Sequence, residues 1–141
     1  MVAINSNGIV AFELNDGAYN GKLFIRFIAN KLVRYFDENP GSILVMDNCK
    51  FHHRKEVLKV LNEKRIIFKF LPPYSPQLNP IEEFFSELKA NYKRIRPRSK
   101  TREIIKKRVN DLLETRDETF IRYFEHTRNF LSLAISRQLF I

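Results

Sequence analysis

Two acidic residues, Asp47 and Glu82, occupy positions from which their carboxylates could hold metal ions. Asp47 follows the apolar run of residues 42–46, and Glu82 opens an amphipathic segment after a proline-rich string. Between the two acids lie 34 residues. A carboxylate at a strand end and another in the first turn of a helix can share divalent ions, and with a third carboxylate such ions catalyse phosphoryl transfer. We find no third carboxylate in a matching position of this sequence.

The elements that would position these carboxylates alternate between strands and helices. Strands are predicted over residues 2–4, 8–14, 42–46 and 66–70, the first two joined at Asn7-Gly8, a strong hairpin signal. Because the run 42–46 is continuously apolar, it predicts a strand buried on both faces. Helices are predicted over residues 20–36, 55–64, 81–94, 101–114 and 119–137. This order indicates an α/β layered fold.

Capping residues and prolines set the helix limits. Asn20 and Asn79 are predicted N-caps, and Pro80 suits the first helical position. The first helix would bury one face, made of Leu23, Phe24, Phe27, Ile28, Leu32 and Tyr35. Prolines at positions 72, 73 and 76 predict a stiff, extended loop that sets where Glu82 lies. Tyr74 in that loop is predicted to pack in a core, with stacking on a nucleic acid as the alternative.

Composition favours a single folded domain with an anionic partner. The chain has 141 residues, 44% hydrophobic, and 25 Lys and Arg against 16 Asp and Glu, a formal charge of +9. Such a charge favours nucleic acid or a membrane surface. No apolar run approaches the roughly 20 residues of a membrane helix, so we expect no membrane partner. The single Cys49 excludes an internal disulfide.

Three motifs together resemble the catalytic domain of Tc/mariner-type transposases. Asp47-Asn48 with His52 after it is similar to the family's D-N-x-x-x-H segment, and residues 71–82, LPPYSPQLNPIE, are similar to its proline-rich string. The interval of 34 residues matches the class with that spacing between its second and third catalytic carboxylates. Phe85 stands where the family commonly has Trp. The resemblance covers about residues 1–135.

This resemblance implies an α/β, ribonuclease-H-like mixed sheet with flanking helices. The first, central strand and the first catalytic Asp at its end would fall before Met1, and Asp16, in an Asn-Asp-Gly turn, is a poor substitute. Residues 1–141 would form a single partial catalytic domain, with the ribonuclease-H-like core at about 1–94 and a basic segment and C-terminal helices at 95–141. Three outcomes stay open: a fragment of a longer chain, a decayed product that folds poorly alone, or a rearranged sheet in which strand 42–46 pairs with the hairpin.

The activity that the resemblance implies is metal-dependent DNA cleavage and strand transfer at transposon ends. Asp47 and Glu82 match the second and third catalytic residues, which bind Mg²⁺ or Mn²⁺. We expect this chain alone to be inactive. The alternative is a non-enzymatic DNA-binding remnant or a recruited transposase-derived protein. A ribonuclease-H-type RNA nuclease is a third hypothesis, against which the proline-rich string argues.

Several residues near the two acids have a structural interpretation beside the functional one. Asp47 could simply bond to a turn, and Glu82 could simply complement a helix dipole. Asn48 and His52 are candidates for active-site support, but Asn48 could hold the turn and His52, followed by His53, could pack at a helix start.

The acids that follow Glu82 are predicted to lie on a solvated face. Glu83 and Glu87 are four residues apart, so we expect them to form an exposed i, i+4 face together with Lys89. Successive helix residues point about 100° apart, so only one of Glu82 and Glu83 can face metal ions. Spacing and motif both select Glu82.

Residues 93–108 form a basic segment, with nine Lys or Arg against one acid, Glu103. Phosphate contact, a nuclear localisation signal and a solvated helix face are the three interpretations, and we favour phosphate contact. The predicted nucleic-acid-binding residues are Lys93, Arg94, Arg96, Arg98, Lys100, Lys106, Lys107 and Arg108. The expected partners are transposon ends and target DNA.

The C-terminal stretch of residues 120–135 is rich in apolar side chains. Core packing is the predicted role, and a homodimer contact is the alternative, since transposases of this type often act as dimers. We expect nuclear localisation in a eukaryotic host, which we favour, and the bacterial cytoplasm otherwise.

Overall fold

The computed structural model describes residues 1–95, 102–114 and 120–135. The strands are β1 (Val2–Asn5), β2 (Gly8–Phe12), β3 (Ile43–Met46) and β4 (Ile67–Phe70). The helices are α1 (Gly21–Phe27), α2 (Val33–Glu38), α3 (Lys55–Glu63), α4 (Pro80–Ile95), α5 (Arg102–Glu114) and α6 (Phe120–Ile135). The chain divides into two compact units, one of residues 1–3 and 10–75, the other of residues 4–9 and 76–141.

The predicted first helix is present but contains a wider turn. Asn20 caps α1, its Oδ1 accepting from the Leu23 N–H at 3.1 Å, as predicted. A π-helical turn, Ile28–Leu32, joins α1 to α2. A π turn contains more residues than an α turn, so the side chains after it are rotated about the helix axis relative to a regular α-helix. Phe36 therefore packs against the core, and Tyr35 makes an edge contact with the Phe36 ring.

Strands β3 and β4 are parallel, with Ile43 opposite Ile67 and Met46 opposite Phe70. The core of the first unit lies on one face of this pair and contains Phe24, Phe27, Ile28, Leu32, Met46, Val57, Leu61 and Ile66. Helix α1, the π turn and α3 supply most of it. Each sheet of the described residues has two strands, β1 with β2 and β3 with β4, so pairing of β3 with the hairpin is not observed among them.

The prediction that the β3 run is buried on both faces is wrong for this structure. Strand side chains alternate between faces, and Met46 points into the core with 5% exposure. Val45 is 54% exposed and Ile43 is 47% exposed. The core cluster covers only the face that Met46 shares with Leu44. The side chains of Ile43 and Val45, on the other face, therefore remain in contact with solvent.

After the proline-rich loop, the described residues of the second unit are helical. A 3₁₀ turn, Pro76–Leu78, precedes α4, and α6 packs against both. Phe84 of α4 lies 5.6 Å from Phe120 of α6 between ring centroids, and Tyr123 stands edge-on to Phe120 at 5.5 Å. Their burial confirms that part of the C-terminal apolar stretch packs in a core. None of the described helices is long and apolar enough to cross a membrane.

Candidate active site

Asp47 lies directly after β3, at the carboxyl end of the parallel pair. Leu71 directly follows β4, and its N–H donates to the Met46 carbonyl at 2.8 Å. The Leu71 carbonyl accepts from the Asn48 side-chain amide. Because Leu71 is bonded through both backbone groups, the two strand exits are held together. The beginning of the proline-rich loop is thereby fixed beside Asp47.

The two oxygens of the Asp47 carboxylate differ, because Oδ1 makes structural contacts and Oδ2 is available to a ligand. Its Oδ1 accepts from the Cys49 N–H at 3.0 Å, which is the local turn bond of an Asx turn, and lies 2.9 Å from His52 Nδ1. Within the part of the chain that the structure describes, no hydrogen bond or ion pair is made by Oδ2. The side chain is 52% exposed. The turn interpretation is therefore correct for Oδ1, and it leaves Oδ2 available to bind a ligand.

His52 both packs and contacts Asp47, so the two interpretations of this residue hold together. Its ring centroid lies 4.5 Å from that of Phe24 and 4.3 Å from that of Phe51. The side chain is only 14% exposed. Nδ1 faces the Asp47 carboxylate at 2.9 Å and the Asp47 carbonyl at 3.3 Å. The packing holds the ring so that this nitrogen stays beside the carboxylate.

His53 contacts Asn48 at the candidate site, a role that was not predicted from the sequence. Its Nε2 lies 3.1 Å from Asn48 Oδ1, and its ring stacks on Phe70 with centroids 4.0 Å apart. Asn48 thus links His53 to the Leu71 carbonyl. The sequence contained one relevant signal, because Asp47 and His52 are five residues apart and Asn48 and His53 repeat that interval.

The prediction that Tyr74 packs in a core is wrong. Its side chain is fully exposed, and its backbone has a φ of +55°. That left-handed conformation is strained for a bulky residue. Prolines on either side fix the surrounding backbone, and the Ser75 hydroxyl bonds to the Pro73 carbonyl at 3.1 Å. The loop therefore presents an aromatic ring to solvent.

Glu82 lies in the first turn of α4, in the second unit. The predicted cap is confirmed: Asn79 Oδ1 accepts from the Ile81 N–H at 3.4 Å, and Pro80 begins the helix. The Glu82 N–H donates to the Asn79 carbonyl at 3.0 Å. The Glu82 side chain is exposed. Its carboxylate therefore remains at the positive end of the helix dipole, open to a ligand.

Glu83 and Glu87 do not form the predicted exposed face with Lys89. Glu83 pairs with His126, and Glu87 accepts from the Tyr123 hydroxyl at 2.5 Å. Both partners belong to α6, so this side of α4 is occupied by packing. No local pattern indicated these contacts, because His126 and Tyr123 lie 43 and 36 residues from their partners.

The predicted nucleic-acid-binding residues lie on α4 and α5 where they are described. Lys93 and Arg94 are exposed near the end of α4, and Lys107 is exposed on α5. Lys106 is half-buried, and Arg108 belongs to the same helix. The remaining predicted positions, Arg96, Arg98 and Lys100, lie outside the described residues.

The residues present fit a hard divalent cation. Asp47 and Glu82 offer exposed carboxylate oxygens, which Mg²⁺ and Mn²⁺ accept together with water and phosphate. Within residues 1–95, 102–114 and 120–135, no group of three or more His, Cys, Asp or Glu side chains is placed to hold a metal ion. Asp47 lies in the first unit and Glu82 in the second.

Comparison with known families identifies the family of this chain. The family described as DDE superfamily endonuclease matches residues 1–106, which include Asp47 and Glu82. This chain belongs to that family. A search of curated proteins found no match.

Solved structures show the same fold. The catalytic domain of Mos1 mariner transposase matches with a TM-score of 0.74 and 19% identity, over 99% of this chain and 74% of that one. The Mos1 catalytic domain with raltegravir and Mg matches with a TM-score of 0.74 and 18% identity, over 99% and 75%. The Mos1 paired-end complex with Mn matches with a TM-score of 0.73 and 19% identity, over 93% of this chain and 40% of that one. The ribonuclease-H-like α/β fold predicted from the sequence is therefore confirmed.

Proposed function

We propose that this chain is part of a transposase catalytic domain whose reaction is metal-dependent cleavage and strand transfer of DNA. The observation that carries the proposal is Asp47: an exposed carboxylate at the carboxyl end of a parallel strand, with one oxygen held and the other available. Membership of the DDE endonuclease family supports it. The structural likeness to a Mos1 domain with Mg and a Mos1 complex with Mn supports the choice of metal.

Asp47 and Glu82 are the proposed ligands of Mg²⁺ or Mn²⁺. When bound, the ions would supply activation of the attacking hydroxyl and stabilisation of the leaving oxygen. The contribution of the chain itself is positional. Cys49 N–H and His52 hold Oδ1 of Asp47, and the Asn79 cap fixes the first turn of α4 on which Glu82 lies. A third carboxylate completes the family mechanism, and we expect the chain by itself not to cleave DNA.

The test measures Mn²⁺ affinity of the whole chain by water-proton relaxation, beside DNA binding and nicking. Asp47→Asn and Glu82→Gln should each weaken Mn²⁺ binding about tenfold or more while DNA affinity is retained. Glu83→Gln is the matched control for Glu82→Gln, since it removes an adjacent carboxylate that contacts His126 instead. Unchanged Mn²⁺ affinity in Asp47→Asn would refute the proposed site.

Phosphate contact by the exposed bases of α4 and α5 is the second part of the proposal. It is supported by the +9 charge and by the exposure of Lys93, Arg94 and Lys107. Replacing Lys93 and Arg94 with Gln should lower the slope of log affinity against log salt by up to about 1.8, which is about 0.9 per lost phosphate contact. Gln at the exposed Lys31 and Lys64, which lie in the first unit, is the control and should leave the slope unchanged.

A non-enzymatic DNA-binding protein is the competing function. The same exposed bases favour it. It predicts DNA binding that depends on Lys93, Arg94 and Lys107, as the first proposal does, but it predicts no loss of Mn²⁺ affinity in Asp47→Asn. Transposon ends and target DNA are the proposed partners, and the paired-end Mos1 complexes support the former. Nuclear residence in a eukaryotic host is proposed with them, and imaging of a tagged chain would test it.

A further inference from the structure

Two adjacent histidines contact two adjacent residues at the candidate site, and they do so through different ring nitrogens. His52 uses Nδ1 toward Asp47, at 2.9 Å, and His53 uses Nε2 toward Asn48, at 3.1 Å. Each histidine lies five residues after its partner. Each ring is also held by aromatic packing, the first against Phe24 and Phe51 and the second on Phe70.

The neighbouring acceptors determine which nitrogen of His52 carries hydrogen. Around Nδ1 stand the Asp47 carboxylate and the Asp47 carbonyl, and both can only accept. Nδ1 of His52 must therefore carry the hydrogen and donate it.

The orientation of the Asn48 amide determines the hydrogen position of His53. The Leu71 carbonyl can only accept a hydrogen bond, so the Asn48 NH₂ faces Leu71 and the Asn48 Oδ1 faces His53. An amide oxygen only accepts, so Nε2 of His53 carries the hydrogen. In their neutral forms the two rings are consequently opposite tautomers, each fixed by its own local environment.

We propose that His52 and His53 are positioning residues for the metal site, holding Asp47 and Asn48 through opposite tautomers. His52 fixes Oδ1 of Asp47, so the carboxylate keeps Oδ2 available for the ion. His53 fixes the Asn48 amide, which holds the exit of β4 through the Leu71 carbonyl. The role in metal binding rests on the proposed function of Asp47, whereas the tautomers rest on these contacts alone. Partners that fix a metal-binding carboxylate contribute to affinity without touching the ion.

The chemistry of the amide side chains provides a matched test. The Asn amide nitrogen is bonded to Cγ, as Nδ1 is in histidine, whereas the longer Gln side chain places its nitrogen nearer the position of Nε2. His52→Asn should therefore retain the Asp47 bond and His52→Gln should lose it. For His53 the order is reversed, with His53→Gln retained and His53→Asn lost. A purely packing role would not produce opposite preferences at adjacent positions.

The experiment uses the whole chain, with long-range ¹H–¹⁵N NMR of the ring nitrogens at about pH 8 and Mn²⁺ titration of each variant. The spectra should show His52 protonated at Nδ1 and His53 at Nε2. His52→Gln should weaken Mn²⁺ binding about tenfold and His52→Asn by less than about threefold. His53→Asn should weaken it more than His53→Gln. Thermal melts identify any variant that unfolds, and the wild-type spectra test the tautomers without any substitution.

The outcomes separate this inference from the proposed function. If both rings carry hydrogen at Nε2, the positioning role is overturned whatever the metal data show. If Asp47→Asn weakens Mn²⁺ binding but the Asn and Gln variants behave alike, positioning fails and the ligand role of Asp47 survives. If Asp47→Asn leaves Mn²⁺ binding unchanged, the proposed metal site fails, and with it the positioning role toward the ion.

Discussion

Replacing Arg65 with glycine should stabilise the protein, because Arg65 holds a backbone conformation that suits glycine. The residue follows α3 with a φ of +54°. Its N–H bonds to the Asn62 carbonyl at 3.0 Å, and the Ile66 N–H bonds to the Leu61 carbonyl at 2.9 Å. These two bonds define a Schellman motif, in which glycine is the usual residue at this position. Ile66 and Leu61 are both buried, so the motif also fixes how the chain enters β4.

The expected gain follows from two opposing terms. A left-handed conformation costs a residue with a side chain roughly 1–2 kcal/mol, and glycine loses about 0.5–1 kcal/mol through the greater freedom of its unfolded state. The Arg65 side chain is exposed, so little packing is lost. Arg65→Gly should therefore raise the free energy of unfolding by about 0.5–1 kcal/mol. For a chain of this size that corresponds to roughly 2–4 °C in Tm.

Urea unfolding followed by circular dichroism measures this change, with Arg65→Ala as the control. Alanine removes the same charge and side chain but keeps Cβ, so it should give no stabilisation. Equal stabilisation by alanine and glycine would show that charge, and not backbone strain, is responsible. A glycine variant less stable than the native protein would refute the argument from conformation.

Three further changes test other parts of the structure. Asn79→Ala should lower stability by about 1 kcal/mol in urea unfolding, because it removes the side-chain cap of α4. Val45→Thr should lower the free energy of unfolding by less than about 1 kcal/mol, and Met46→Ala should lower it by about 2–5 kcal/mol, because of these two side chains only Met46 faces the core. Equal losses would show that both faces of β3 are buried. Tetranitromethane should nitrate the fully exposed Tyr74 well before the buried Tyr123, and mass spectrometry of peptides would show the reverse if Tyr74 were packed.

Features set by neighbouring residues could be predicted from the sequence. Asn20 and Asn79 cap helices through backbone groups two or three residues away, so residue type and position were sufficient. The apolar and turn patterns likewise placed every described strand and α-helix to within a few residues, with one predicted helix covering α1, the π turn and α2. The α/β fold followed from their order and from the transposase-like motifs.

Features that depend on distant partners were predicted less well. The apolar run of β3 indicates burial but does not reveal that only one of its faces is covered by the core. An aromatic residue such as Tyr74 is commonly buried, yet the proline-rich loop holds its backbone in a conformation that exposes the ring to solvent. The π turn adds to this, since no residue type in Ile28–Leu32 marks a change of helical period. Sequence spacing assumes a regular helix, and so it assigned Tyr35 to the face that Phe36 helps to fill.

Packing of α4 gives an argument for Glu82 that is independent of its spacing from Asp47. Neighbouring residues of a helix point about 100° apart, so Glu82 and Glu83 cannot serve the same face. Glu83 contacts His126, and Glu87, one turn later on the same side, contacts Tyr123. Both carboxylates are therefore committed to α6, and Glu82 is the acid of this turn that remains exposed. The motif and the helix packing consequently select the same residue for different physical reasons.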